Sequence, residues 1–162
     1  MNQIPQSDAI RIARELFSEA YSGPKPQWSW FVNAEPDSGV FGSIKGLTAE
    51  QASAEPSPGG RSIAAHVEHL RWSLETVNRT LRGQPWEPDW SASWTVQTVD
   101  DSHWQSLQSG LRKEFEELLN TLNDDVDVSD PRMLQGVFAL APHAAYHLGT
   151  IRQIARIVSP ST

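Results

Sequence analysis

Five histidines stand in the chain, and four of them form two pairs. His66 and His69 lie three residues apart in SIAAHVEHLRW, and His143 and His147 lie four apart in APHAAYHLGTIRQI. In a helix, side chains at those separations project from the same side. Imidazoles on two facing helices can therefore close on one metal ion. Three neutral imidazoles with one open position are an established kind of metal site, suited to zinc, nickel or another divalent transition ion. Such an ion lowers the pKa of a bound water or thiol and makes a nucleophile near neutral pH. The ligands must be unprotonated, so affinity falls as pH drops through the histidine range. A single histidine on a helix flank is more often a hydrogen-bonded boundary residue; it is the second pair that raises the metal reading beside that one. His103, in the first turn of another expected helix, reads as a surface residue.

Other chemistries find little support. Cysteine is absent, which removes disulfides, thiolate nucleophiles and Cys-ligated zinc. A carboxylate-bridged di-iron bundle needs Glu-x-x-His twice, and no Glu here has a His three residues later. HExxH, GxSxG and glycine-rich phosphate loops are missing as well. The net charge of -7 argues against nucleic acid as a partner, because phosphate binding needs clustered Lys and Arg. No apolar run approaches the roughly 18 residues of a membrane span. The start, MNQIPQSDAIRIARELF, lacks a charged-then-apolar signal pattern. A cytoplasmic protein acting on a small molecule is the expectation.

The elements that must hold these histidines follow from apolar periodicity. With 162 residues and 38% apolar content, one domain over residues 1–162 is expected. A first helix is predicted from Ser7, as N-cap, to Tyr21, ended by Gly23 and Pro24. A second starts at Arg61 or Ser62, carries Ile63, Val67, Leu70, Leu74, Val77 and Leu81 on one stripe, and is ended by Gly83 and Pro85. A third follows Asp100, Asp101 or Ser102, with Trp104, Leu107, Leu111, Phe115, Leu118 and Leu122 in heptad fashion, and closes at Asn123-Asp124-Asp125. The fourth starts near Pro131, a favourable first-turn residue, and Pro142 inside it is expected to kink it. Residues 22–60 hold many Pro, Gly and Ser but also Trp28, Trp30, Phe31, Val40 and Ile44, so an ordered segment packed on the bundle with short helical turns is expected. Thr48 with Gln51 resembles a capping box. In the link from 84 to 99, Trp86, Trp90 and Trp94 recur every four residues. They read as a cover over the bundle, with ligand stacking as the alternative.

Four long helices without strand signal make an all-α four-helix bundle. The long link allows a crossover, with the third helix parallel to the second and the fourth antiparallel to it. At about 1.5 Å per residue, His69 and His147 then sit at similar height, roughly 12 and 16 Å from their helix ends. Periodicity turns His66 closer to the centre of its stripe than His69, and either could serve a site at the core's edge.

The SIAAHVEHLRW segment after Pro-Gly-Gly, and HAAYHLGTIRQI with His-x-x-x-His followed by Leu-Gly and Ile, resemble the DinB/YfiT-like superfamily. The resemblance implies a bundle of up-down-down-up topology and a metal held by one histidine of the second helix and two of the fourth. In the family's helix-two motif the ligand stands six residues after the apolar residue of the Ser-Ile pair. Ile63 is that residue here, which implies His69, together with His143 and His147, as metal ligands; His66 would then support the site or simply pack. Thr150 stands where the family often has Gln, and Pro142 before His143 is unusual for it. Members include proteins assigned as metal-dependent hydrolases and S-transferases of low-molecular-weight thiols, and dimers are common, so a homodimer is implied. The rival expectation is a non-catalytic module with a structural or vestigial metal. No general base is assigned; Glu68 is available by position but is expected to face solvent.

Overall fold

Four long helices carry the apolar stripes, and side-chain caps mark where three of them begin. A computed structural model describes residues 5–25, 28–84, 87–123, 126–127 and 129–159. Pro85, Trp86, Asp124 and Asp125 lie outside the described residues, so the helix stop expected at Pro85, the cover role of Trp86 and part of the acidic stop after the third long helix lie outside them too. Helix α1 spans Gln6–Ser22. Its cap is Pro5, in extended backbone, with no side-chain cap bond; the expected cap, Ser7, falls inside the first turn. Proline's fixed φ can set up the helix start without a capping hydroxyl. Gly23 ends α1 at φ 89°, its N–H donating to the Glu19 carbonyl at 2.9 Å.

The segment after α1 folds as expected into short helical turns, α2 (Val40–Ile44) and α3 (Ala49–Ser53). Thr48 and Gln51 form a reciprocal capping box on α3. Val40 and Ile44 enter the core, but Trp28 and Trp30 are exposed, so only part of the segment packs on the bundle. One carboxylate oxygen of buried Glu19 organises that outer part. It accepts from the Ser29 hydroxyl and from the backbone N–H groups of Trp30, Phe31 and Val32, at 2.9 to 3.3 Å. Arg152 ties the stretch to the last helix through Asn33, the Ser38 carbonyl and Ser43.

Helix α4 spans Ile63–Leu81, α5 spans Asp101–Thr121 and α6 spans Pro131–Val158. Ser62 caps α4, accepting from Ala65 N–H at 3.2 Å. Of the three candidate caps for α5, Asp100 does the capping, accepting from His103 N–H at 2.7 Å. Asp130 caps α6, with Pro131 in its first turn. Helix α6 continues through Pro142. The proline denies the Phe138 carbonyl its helical N–H, but both residues are exposed, so that carbonyl is on the side water can reach. The kink expected there does not end the helix.

Contacts give the helix senses pair by pair. Asn78 bonds Glu114 and Arg82 pairs with Glu117, so α4 and α5 rise together. Arg14 donates to the Leu119 carbonyl at 2.9 Å, and the Phe17 and Phe115 rings lie 5.1 Å apart; α1 and α5 run in opposite senses. His66 meets His147 and His69 meets His143, so α4 and α6 also oppose. Phe17, Leu70, Leu111, Leu118 and Ile151 lie fully buried between these helices, and each such side chain contributes about 1.5–3 kcal/mol by leaving water. No strand occurs among the described residues.

Candidate metal centre

The centre begins with the start of α4. Ser62 accepts from Ala65 N–H, and its own hydroxyl donates to the Gln97 carbonyl at 2.6 Å. The Gln97 side-chain oxygen in turn accepts from Ser62 N–H at 3.3 Å. The cap that starts the helix thus also ties down the link before α5. That link makes one 3-10 turn, Ala92–Trp94, directly over the first turns of α4. Its Ser93 and Trp94 contact His69.

His69, His143 and His147 come together, with one ligand-capable nitrogen of each within 4.8 Å of the others. His69 Nε2 lies 3.1 Å from His143 Nε2, and His147 Nε2 lies 3.2 Å from the same atom. Metal–nitrogen bonds of about 2.0–2.1 Å in a tetrahedral site put neighbouring nitrogens about 3.3–3.4 Å apart. The two measured separations fall just inside that value, so the donor set and spacing fit a divalent ion. His66 does not join the convergence. Its Nδ1 lies 2.9 Å from His147 Nδ1, on the far edge of that ring. His103 is exposed, as expected.

Burial keeps the rings neutral. Desolvation is the first cause of a lowered pKa in all four. It takes His66 to about 4, aided by the Arg61 charge. His69 falls to about 4, with His143, His66 and Arg61 adding repulsion, and His147 to about 3, with the other three histidines adding theirs. His143, half-buried rather than buried, is lowered by desolvation. Neutral imidazole is the form that donates a lone pair to a metal.

The outer contacts set which nitrogen is free. The Ser93 hydroxyl donates to the Trp90 carbonyl at 2.7 Å. Its one proton is thereby used, so at 2.8 Å it accepts from His69 Nδ1–H. That leaves the His69 lone pair on Nε2, facing the cluster. Trp94 stacks on His69 with ring centres 4.1 Å apart and planes 15° apart, and the Arg61 guanidinium covers Trp94 at 4.1 Å. Trp94 therefore acts as cover by stacking on a histidine, while Trp90 is half exposed. Periodicity singled out the tryptophans but gave no sign of Ser93 or Arg61. A lone Ser in a loop carries no spacing to betray it.

Glu68 departs from expectation. It is partly buried, and its two carboxylate oxygens accept from Arg71 at 2.7 and 2.8 Å. The arginine's fork matches a carboxylate bidentately, which draws Glu68 in from solvent and occupies both of its oxygens. A surface cleft of about 270 Å³ lined by Phe41, Ile44, Gln108 and Arg112 has no histidine in its wall. No helix among the described residues is long and apolar enough to cross a membrane.

No curated protein and no solved structure matches the chain significantly. Residues 40–151, more than half of the chain and including His66, His69, His143 and His147, match the DinB superfamily, and with this match the chain belongs to the DinB superfamily.

Proposed function

We propose that the chain is a single DinB-like domain in which His69, His143 and His147 hold one divalent transition ion, zinc or nickel, at the edge of an up-down-down-up four-helix bundle. The pairwise senses of α1, α4, α5 and α6 support that topology. The observation that carries the metal assignment is the convergence of three Nε2 atoms, with His143 Nε2 at 3.1 and 3.2 Å from the other two. When bound, the ion supplies Lewis acidity that makes water or a thiol nucleophilic near neutral pH. The protein's own part is to present three neutral lone pairs, fix His69 through Ser93, and cover one side with Trp94. The half-buried His143, beside the exposed Tyr146, marks the side from which a small molecule would approach. The reaction class is hydrolysis or S-transfer from a low-molecular-weight thiol.

The stack of Trp94 on His69 favours a second reading, a structural ion in a non-catalytic helical module, because it closes one approach to the centre. Cobalt-substituted protein separates the two. A visible spectrum that changes when a small thiol is added, together with metal-dependent turnover in a panel of thiols, esters and amides, is the expected result. A spectrum of four protein ligands that no thiol or azide perturbs would establish the structural reading instead.

A further inference from the structure

We infer that His66 is a positioning residue, which accepts the Nδ1 proton of His147 and so turns the His147 Nε2 lone pair toward His69 and His143. The inference rests on the metal centre proposed above and adds a proton assignment to it. A neutral imidazole carries one N–H and one lone pair. The Nδ1 atoms of His66 and His147 lie 2.9 Å apart, both rings being buried. At that distance one proton must stand between them, since two would repel and none would leave two lone pairs face to face.

The remaining contacts decide whose proton it is. Ser93 fixes His69 as Nδ1–H, with its lone pair on Nε2. His143 Nε2 touches both His69 Nε2 and His147 Nε2. Suppose His66 donated to His147. His147 would then carry its proton on Nε2 and give it to His143, and the lone pairs of His143 and His69 would confront each other at 3.1 Å. The reverse assignment satisfies every contact. His147 donates from Nδ1 to His66, and His143 shares its Nε2 proton between His147 and His69. His66 is then protonated on Nε2. In that arrangement two of the three ligands already aim lone pairs inward, and only the half-buried His143 must relocate its proton for an ion to enter. This explains why α4 carries two histidines with one in the cluster: the other orients a ligand of α6. A hydrogen bond to the second nitrogen of a ligating histidine is a recurrent device for fixing its ring.

Nitrogen-15 NMR of the imidazoles in the metal-free protein is the first test. His147 protonated on Nδ1 and His66 on Nε2 is the expected pattern; His66 protonated on Nδ1 overturns the inference, whether or not zinc binds. Zinc titration of variants is the second. His66→Leu removes the acceptor, and a loss of about 10- to 100-fold in affinity is expected. His66→Asn places a carbonyl oxygen near the former Nδ1 and should recover most of that loss. Both variants must first show wild-type helicity by circular dichroism. Leu binding zinc as tightly as wild type, or Asn as weakly as Leu, would contradict the assignment. Wild-type protein that binds no zinc would instead strike at the metal centre, leaving the NMR result to judge His66 by itself.

Discussion

His69 reaches the cluster with the right nitrogen because its other nitrogen is held by Ser93, itself held by the Trp90 carbonyl. Ser93→Ala cuts that chain while removing one oxygen from a buried site. Zinc affinity should fall about 10- to 100-fold with helicity unchanged, as read by calorimetric titration beside circular dichroism; unchanged affinity would mean that stacking on Trp94 alone orients the ring. At this scale the sequence is informative where spacing repeats and silent where it does not. The i, i+3 and i, i+4 histidine pairs are visible because helical geometry makes spacing a proxy for facing. Periodicity pointed to His66 as the residue nearer the stripe, yet His69 is the one beside His143. Both rings are buried, and the choice between them depends on how α6 crosses α4, which no single helix encodes. Ser93 and Arg61 reach the site from an irregular link and an exposed start, where chain direction is set by tertiary contacts alone.

The elements were legible in proportion to the regularity of their caps and stripes. Asp100, Asp130 and the Thr48–Gln51 box cap where local chemistry says they should. Ser7 does not, because α1 already begins at Gln6 with Pro5 at the cap position. Trp28 and Trp30 are exposed beside backbone that the carboxylate of Glu19 gathers, an interaction between residues 11 to 13 positions apart that no periodicity foretells. The start of α4 matters most for the site, since Ser62 both caps the helix and binds the link bearing Ser93. Ser62→Ala should lower unfolding free energy by about 0.5–2 kcal/mol from the cap alone, measured by urea denaturation. It should also weaken zinc binding, because one of the two bonds that tie Gln97 to Ser62 is lost with the hydroxyl. A drop in stability with no change in zinc affinity would show that the link holds its place without that tie.

For the molecule as a whole, neutral histidines held in and beside the core make metal-free stability depend on pH. Their ordinary value is 6.5, and the folded protein lowers it to about 4 for His66 and His69 and to about 3 for His147. Above pH 6.5 both folded and unfolded chains hold these rings neutral, and they add no slope. Below it the unfolded chain binds protons that the folded one refuses, so stability falls as pH falls. The urea midpoint of metal-free protein should therefore decline between pH 6.5 and 5, above the range in which ordinary carboxylates titrate. A flat midpoint across that window would mean that the folded rings take up protons as readily as the unfolded ones. Bound metal should raise the midpoint at neutral pH, the unfolding free energy gaining about 2.7 kcal/mol at a hundredfold excess over the dissociation constant.

Metal stoichiometry tests the central claim most directly. Elemental analysis and zinc titration of the purified protein should find one ion per chain, and His143→Ala and His147→Ala should each lose it while remaining helical. Full metal content in both variants, or none in the wild type after zinc loading, would contradict a centre built on those two imidazoles and His69.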